Sequence, residues 1–126
     1  MPATITANLS NITAADPNNQ NNRSATFSQG AGTPGWASVK SDGEIDANGQ
    51  GAVAANVVFN LPADSPVSFK TEGPFSPSGT GYQFSVTSVT ANSLTVLDNN
   101  APGSGETEYT LYFSDGSKLD PKFINR

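Results

Sequence analysis

Over residues 50–98 apolar side chains recur at every second position, and nowhere in the chain do they recur at helical spacing. Val53, Ala55, Val57, Phe59 and Leu61 share one face of an extended segment; Ala52, Ala54, Asn56, Val58 and Asn60 share the other. Further on, Val67 and Phe69 alternate, then Tyr82, Phe84 and Val86, then Leu94 and Val96. Successive side chains of a strand point to opposite faces, so this pattern supplies the inner faces of sheets. The phase slips between Val86 and Val89, which predicts a bulge or bend at Thr87-Ser88. Phe75 lies in the irregular, proline-flanked link 73–77, and its ring is expected to tuck beneath it.

The flanks continue the theme. In 3–12, Ile5, Ala7 and Leu9 alternate with Thr4, Thr6 and Asn8, as in a first strand. Asp16-Pro17 and the Asn/Gln run after it read as a polar loop, since Asn tolerates left-handed backbone. A short strand is expected around Phe27 and another over 36–40. Asp42-Gly43 and Asn48-Gly49 are turn signals, and Asn48-Gly49 predicts that 35–46 pairs antiparallel with 50–61. Near the C-terminus, Tyr109, Leu111 and Phe113 point inward with Tyr112 outward; Ser114-Asp115-Gly116-Ser117 is a turn, and the last residues read as a closing edge strand.

The expectation is an all-β chain of one domain, residues 1–126. It is an antiparallel immunoglobulin-like β-sandwich of about seven to nine short strands, with a closed barrel as the alternative. An apolar fraction of 35% is low for a globular domain, but with only 13% charged residues the chain lacks the charge that typifies disordered segments.

Composition also narrows function. The chain has no Cys and no His, which removes thiol nucleophiles, the usual zinc ligands and a Ser-His-Asp triad, so a non-enzymatic role is expected. A net charge of −5 with Arg23, Lys40, Lys70, Lys118, Lys122 and Arg126 scattered disfavours nucleic acid and anionic lipid. No apolar run reaches membrane-spanning length, and residues 1–10 lack the pattern of a signal peptide, which favours a cytoplasmic location. The sequons at Asn8, Asn11 and Asn22 are expected by chance in an Asn- and Thr-rich chain.

The C-terminal half carries NVVFNLP, an aromatic-rich middle, SLTVLDNN and EYTLYFSDGSKLDPKFINR. Over 57–125 this resembles the small bacterial DP-EP family and the related inclusion-body (AidA/PixA-like) proteins, with Asp120, Pro121, Phe123 and Asn125 in the closing motif. No Glu-Pro pair is present. The resemblance implies a β-sandwich of uncharacterised function and assigns no catalytic residue.

Two readings of function follow. In the first, the chain is a structural or protein-interaction module that self-associates or binds a protein through exposed strand edges. The second is a carbohydrate-binding module in which Trp36 or Tyr112 stacks on a sugar ring. Calcium could assist it, held by the alternating Asp42, Glu44 and Asp46 or by Asp98 of the acidic segment 98–108. A phage or cell-surface adhesin domain fits the Ser/Thr/Asn/Gly-rich composition as well.

Overall fold

The computed structural model describes residues 3–47, 54–77, 84–98, 106–119 and 122–125. The described residues form strands and loops only. In chain order the strands are β1 (Ala3–Ser10), β2 (Asn22–Arg23), β3 (Thr26–Gln29), β4 (Ser38–Val39), β5 (Ile45–Asp46), β6 (Ala55–Asn60), β7 (Phe75–Pro77), β8 (Phe84–Val89), β9 (Ser93–Asp98), β10 (Glu106–Leu111), β11 (Lys118–Leu119) and β12 (Lys122–Asn125). One five-stranded sheet has the order β3-β1-β6-β9-β8 and a second has the order β4-β5-β12-β10-β7; β2 and β11 form a small ribbon beside them. Neither sheet closes into a barrel.

Alternation places the core as the sequence predicts. Ile5, Ala7 and Leu9 of β1, Val57 and Phe59 of β6 and Leu94 and Val96 of β9 are buried in the first sheet. Ile45, Tyr109, Leu111 and Ile124 are buried in the second, and all belong to one continuous apolar cluster. Phe59 meets Tyr109 with ring centroids 5.5 Å apart, so the inner faces of the two sheets touch. Phe75 is buried where expected; its ring stacks on Tyr109 at 5.6 Å and 14°. The predicted bulge is present: Val86 pairs with Val96 and Ser88 with Thr95, leaving Thr87 as the extra residue.

Five expectations are corrected. The pairing is mixed, because β1 runs parallel to β6, β5 to β12 and β2 to β11. Very short segments also bring the strands above the expected seven to nine. The 35–46/50–61 hairpin does not form: β6 lies between β1 and β9, while β5 belongs to the other sheet. A strand with apolar residues this deep in the core has both backbone edges to satisfy, and two long neighbours do that better than one short one. The local hairpin sits instead at Asp42-Gly43. Gly43 takes a φ of +95°, its N–H donates to the Lys40 carbonyl at 2.9 Å, and β4 pairs antiparallel with β5. Asn48-Gly49 lies outside the described residues. The closing strand β12 is no edge strand: it is flanked by β10 and β5, with Ile124 buried opposite Ile45 and Thr107. Finally, Val86 does not join the core with Phe84 and is 41% exposed.

The loop after β3 fixes one glycine. The N–H of Gly30 donates to the Thr6 carbonyl at 2.8 Å, and Thr33 Oγ1 accepts the Thr6 N–H at 3.1 Å while donating to the Gly30 carbonyl at 2.9 Å. A Cβ on Gly30 would lie 2.8 Å from Thr6 Cβ and closer still to its Cγ2, both on a β-branched side chain with little freedom to withdraw. Gly30→Ala is expected to destabilise the protein by about 1–3 kcal/mol through overpacking, read as a lower urea midpoint with an unchanged slope.

Candidate interaction surface

The two sheets have four terminal strands, β3, β8, β4 and β7. On one side β3 and β4 are stitched together: the Phe27 N–H donates to the Ser41 carbonyl at 2.9 Å, and the Val39 N–H donates to Gln29 Oε1 at 3.2 Å. On the other side β7 and β8 meet through the rings of Phe75 and Phe84, 5.5 Å apart and tilted by 51°. β7 is three residues long and ends in Pro77, which has no N–H to offer a further strand.

β8 is the exception. It is six residues long, FSVTSV, with no charge and no proline. Its backbone orientation follows from the neighbouring ladder. The Thr90 N–H donates to the Ser93 carbonyl, so Ser93, and by alternation Thr95 and Leu97, use their backbone groups toward β8; the Leu61 N–H donates to the Asn92 carbonyl, in keeping with Leu94, Val96 and Asp98 bonding toward β6. Ser85 and Ser88, opposite Leu97 and Thr95, therefore bond inward. Phe84, Val86 and Val89, opposite Asp98, Val96 and Leu94, turn their N–H and C=O groups outward. Among the described residues no strand or loop pairs with that outer edge. The side chains of the same three residues lie on the core side of the sheet, and Val86 is the exposed large apolar residue among those described.

The residues singled out for sugar binding lie elsewhere and apart. Trp36 sits in the turn before β4, half-buried and packed against the core cluster. Tyr112 is half-buried in the bridge that pairs it with Lys118. The Nζ of Lys70 lies 5.9 Å from the centroid of its ring, so a cation covers one face that a sugar would use. Asp42 Oδ1 accepts the Glu44 N–H at 3.0 Å, an ordinary turn contact, and Glu44 pairs with Lys40 at 3.6 Å. Asp46 lies within β5, and Asp98 is buried at the end of β9. Among the described residues no three acidic side chains gather where they could hold a metal ion. Asn99, Asn100, Tyr82, Asp120 and Pro121 lie outside the described residues.

A polar cluster that the sequence does not announce joins the two ends of the chain. Arg23 has a side chain only 10% exposed. Its Nε donates to Ser117 Oγ at 2.8 Å, its Nη1 to the Thr13 carbonyl at 2.8 Å and its Nη2 to Asp115 Oδ2 at 2.9 Å. Asp115 Oδ1 also accepts the Ser117 N–H and hydroxyl. The Ser117 hydroxyl and N–H, joined by Arg23, hold the Asp115 carboxyl down at about 2. Read along the sequence, Arg23 is one scattered cation; its side-chain partners Ser117 and Asp115 are more than ninety positions away, and no local pattern marks them.

No protein-family model and no curated protein matches the chain. No helix among the described residues is long and apolar enough to cross a membrane.

Proposed function

We propose that the chain is a non-enzymatic β-sandwich of immunoglobulin-like type that acts through its surface, as a structural or protein-interaction module. The observation that carries this reading is the outer edge of β8: a six-residue uncharged strand with outward-facing backbone groups and an exposed valine. Natural edge strands are usually blunted by charge, proline or shortness, and β7 has the last two while β8 has none of them. A bulge at Thr87 twists part of the edge and leaves its first half regular. The resemblance of 57–125 to the DP-EP family supports the same reading, because it implies a sandwich without catalytic residues.

The rival is a carbohydrate-binding module. It is tested by thermal unfolding in a panel of soluble sugars, with calcium and with EDTA. The expected result is no shift. A ligand at a hundred times its dissociation constant adds about 2.7 kcal/mol, which moves the midpoint of a domain this size by several degrees. A shift of that kind with one sugar, abolished in Trp36→Ala, would overturn the proposal in favour of sugar binding.

A further inference from the structure

Resting on the interaction-module reading, we infer that the occupant of the β8 edge is the β8 edge of a second copy of this chain. The copies are related by a two-fold axis perpendicular to the sheet, and the two first sheets join into one of ten strands, five from each copy. The outward backbone groups at Phe84 and Val86 set the register. Ser85 faces Ser85 across the axis, and Phe84 of each copy lies opposite Val86 of the other, in the hydrogen-bonded type of antiparallel pair. The bulge at Thr87 ends the regular part of the edge, so the pairing is short and centred on 84–86.

Charge directs a second copy to this edge rather than to the rest of the surface. Two chains of net charge −5 repel each other over most of their surfaces, and a strand carrying even one charge would bring like charges close across a two-fold axis. Residues 73–97 contain no charged side chain, so β8 and the hairpin it forms with β9 offer a neutral approach. A two-fold axis perpendicular to the sheet also keeps the faces matched. The core-side row of Phe84 and Val86 meets its own copy, and the exposed Val86 of each chain is covered by an aromatic ring rather than by water.

The test is sedimentation velocity on the full 126-residue chain over a wide concentration range, with Val86→Lys and the control Thr26→Lys on the opposite edge strand β3. Both positions are exposed in the single chain, so both variants are expected to keep the circular dichroism spectrum of the unaltered protein and, at concentrations where it is monomeric, its melting midpoint. The expected result is a reversible dimer for the unaltered chain and for Thr26→Lys, with self-association weakened roughly tenfold or more in Val86→Lys, since each dimer loses two covered valines. A chain that stays monomeric throughout overturns the inference, as does a dimer unaffected by Val86→Lys. Neither result touches the wider reading, which falls only to the sugar-dependent shift described above.

Discussion

Tyr109→Ala is expected to cost about 3–5 kcal/mol, the usual range for removing a large aromatic side chain from a core. Tyr109 is fully buried, and its ring packs against both Phe59 and Phe75 at the meeting of the two sheets. Its hydroxyl donates to the Gly43 carbonyl at 2.7 Å, which pins the β4–β5 turn to the core. Burial, with Asp42 nearby, pushes that hydroxyl far above its ordinary range and so favours the protonated, donating form. Tyr109→Phe separates the two contributions. It keeps the ring, leaves a buried carbonyl without its partner, and is expected to cost about 1–2 kcal/mol. Urea unfolding of both variants measures the difference. With total stabilities of about 5–15 kcal/mol typical, the alanine variant is expected to be partly unfolded at room temperature if the protein lies at the low end. Equal costs for the two variants would mean that the hydroxyl, not the ring, dominates.

Arg23→Met is expected to cost about 2 kcal/mol, because a hydrogen-bonded guanidinium is lost from a site that is nearly closed to water. The figure stays below that of a fully buried ion pair, since Asp115 is 46% exposed and can recover water when Arg23 is gone. The same cluster gives a pH dependence. The Asp115 carboxyl titrates at about 2 in the folded chain against 3.8 ordinarily, so the unfolded chain takes up its proton first as the solution is acidified. The stabilisation from Asp115 is therefore complete above about pH 4 and is lost as pH falls toward 2. Asp115→Asn should flatten the decline of melting midpoint with pH in that window. An unchanged slope would place the acid sensitivity on other carboxylates.

What could be read from the sequence was the short-range part of the fold. Period-2 alternation located β1, β6, β9 and β10, and a one-residue slip in phase located the bulge at Thr87, because both are imprinted on adjacent side chains. Partnership was not imprinted in that way. Asn48-Gly49 is a strong local turn signal, yet β6 takes its neighbours from β1 and β9, each more than thirty positions from its own partner residues. The last strand looked peripheral because it follows a turn near the end of the chain, but burial of Ile124 between two neighbours draws it inside the sheet. The interaction surface was legible only as a general expectation of exposed edges. Alternation put Val86 on the core side, and nothing adjacent in the sequence reveals that it is left 41% exposed there.

The positions of β1 and β12 bear on when this protein can fold. Each is an interior strand, β1 between β3 and β6 and β12 between β10 and β5. A nascent chain still holding residues 122–125 inside the ribosome lacks the middle of its second sheet, and β5 has then lost its neighbour on one side. Emerging segments can collapse, but the second sheet cannot be completed until residues 122–125 have left the ribosome. Folding is thus expected to be one cooperative event that waits for β12 rather than a vectorial one, and removing β1 or β12 should abolish the structure rather than trim it.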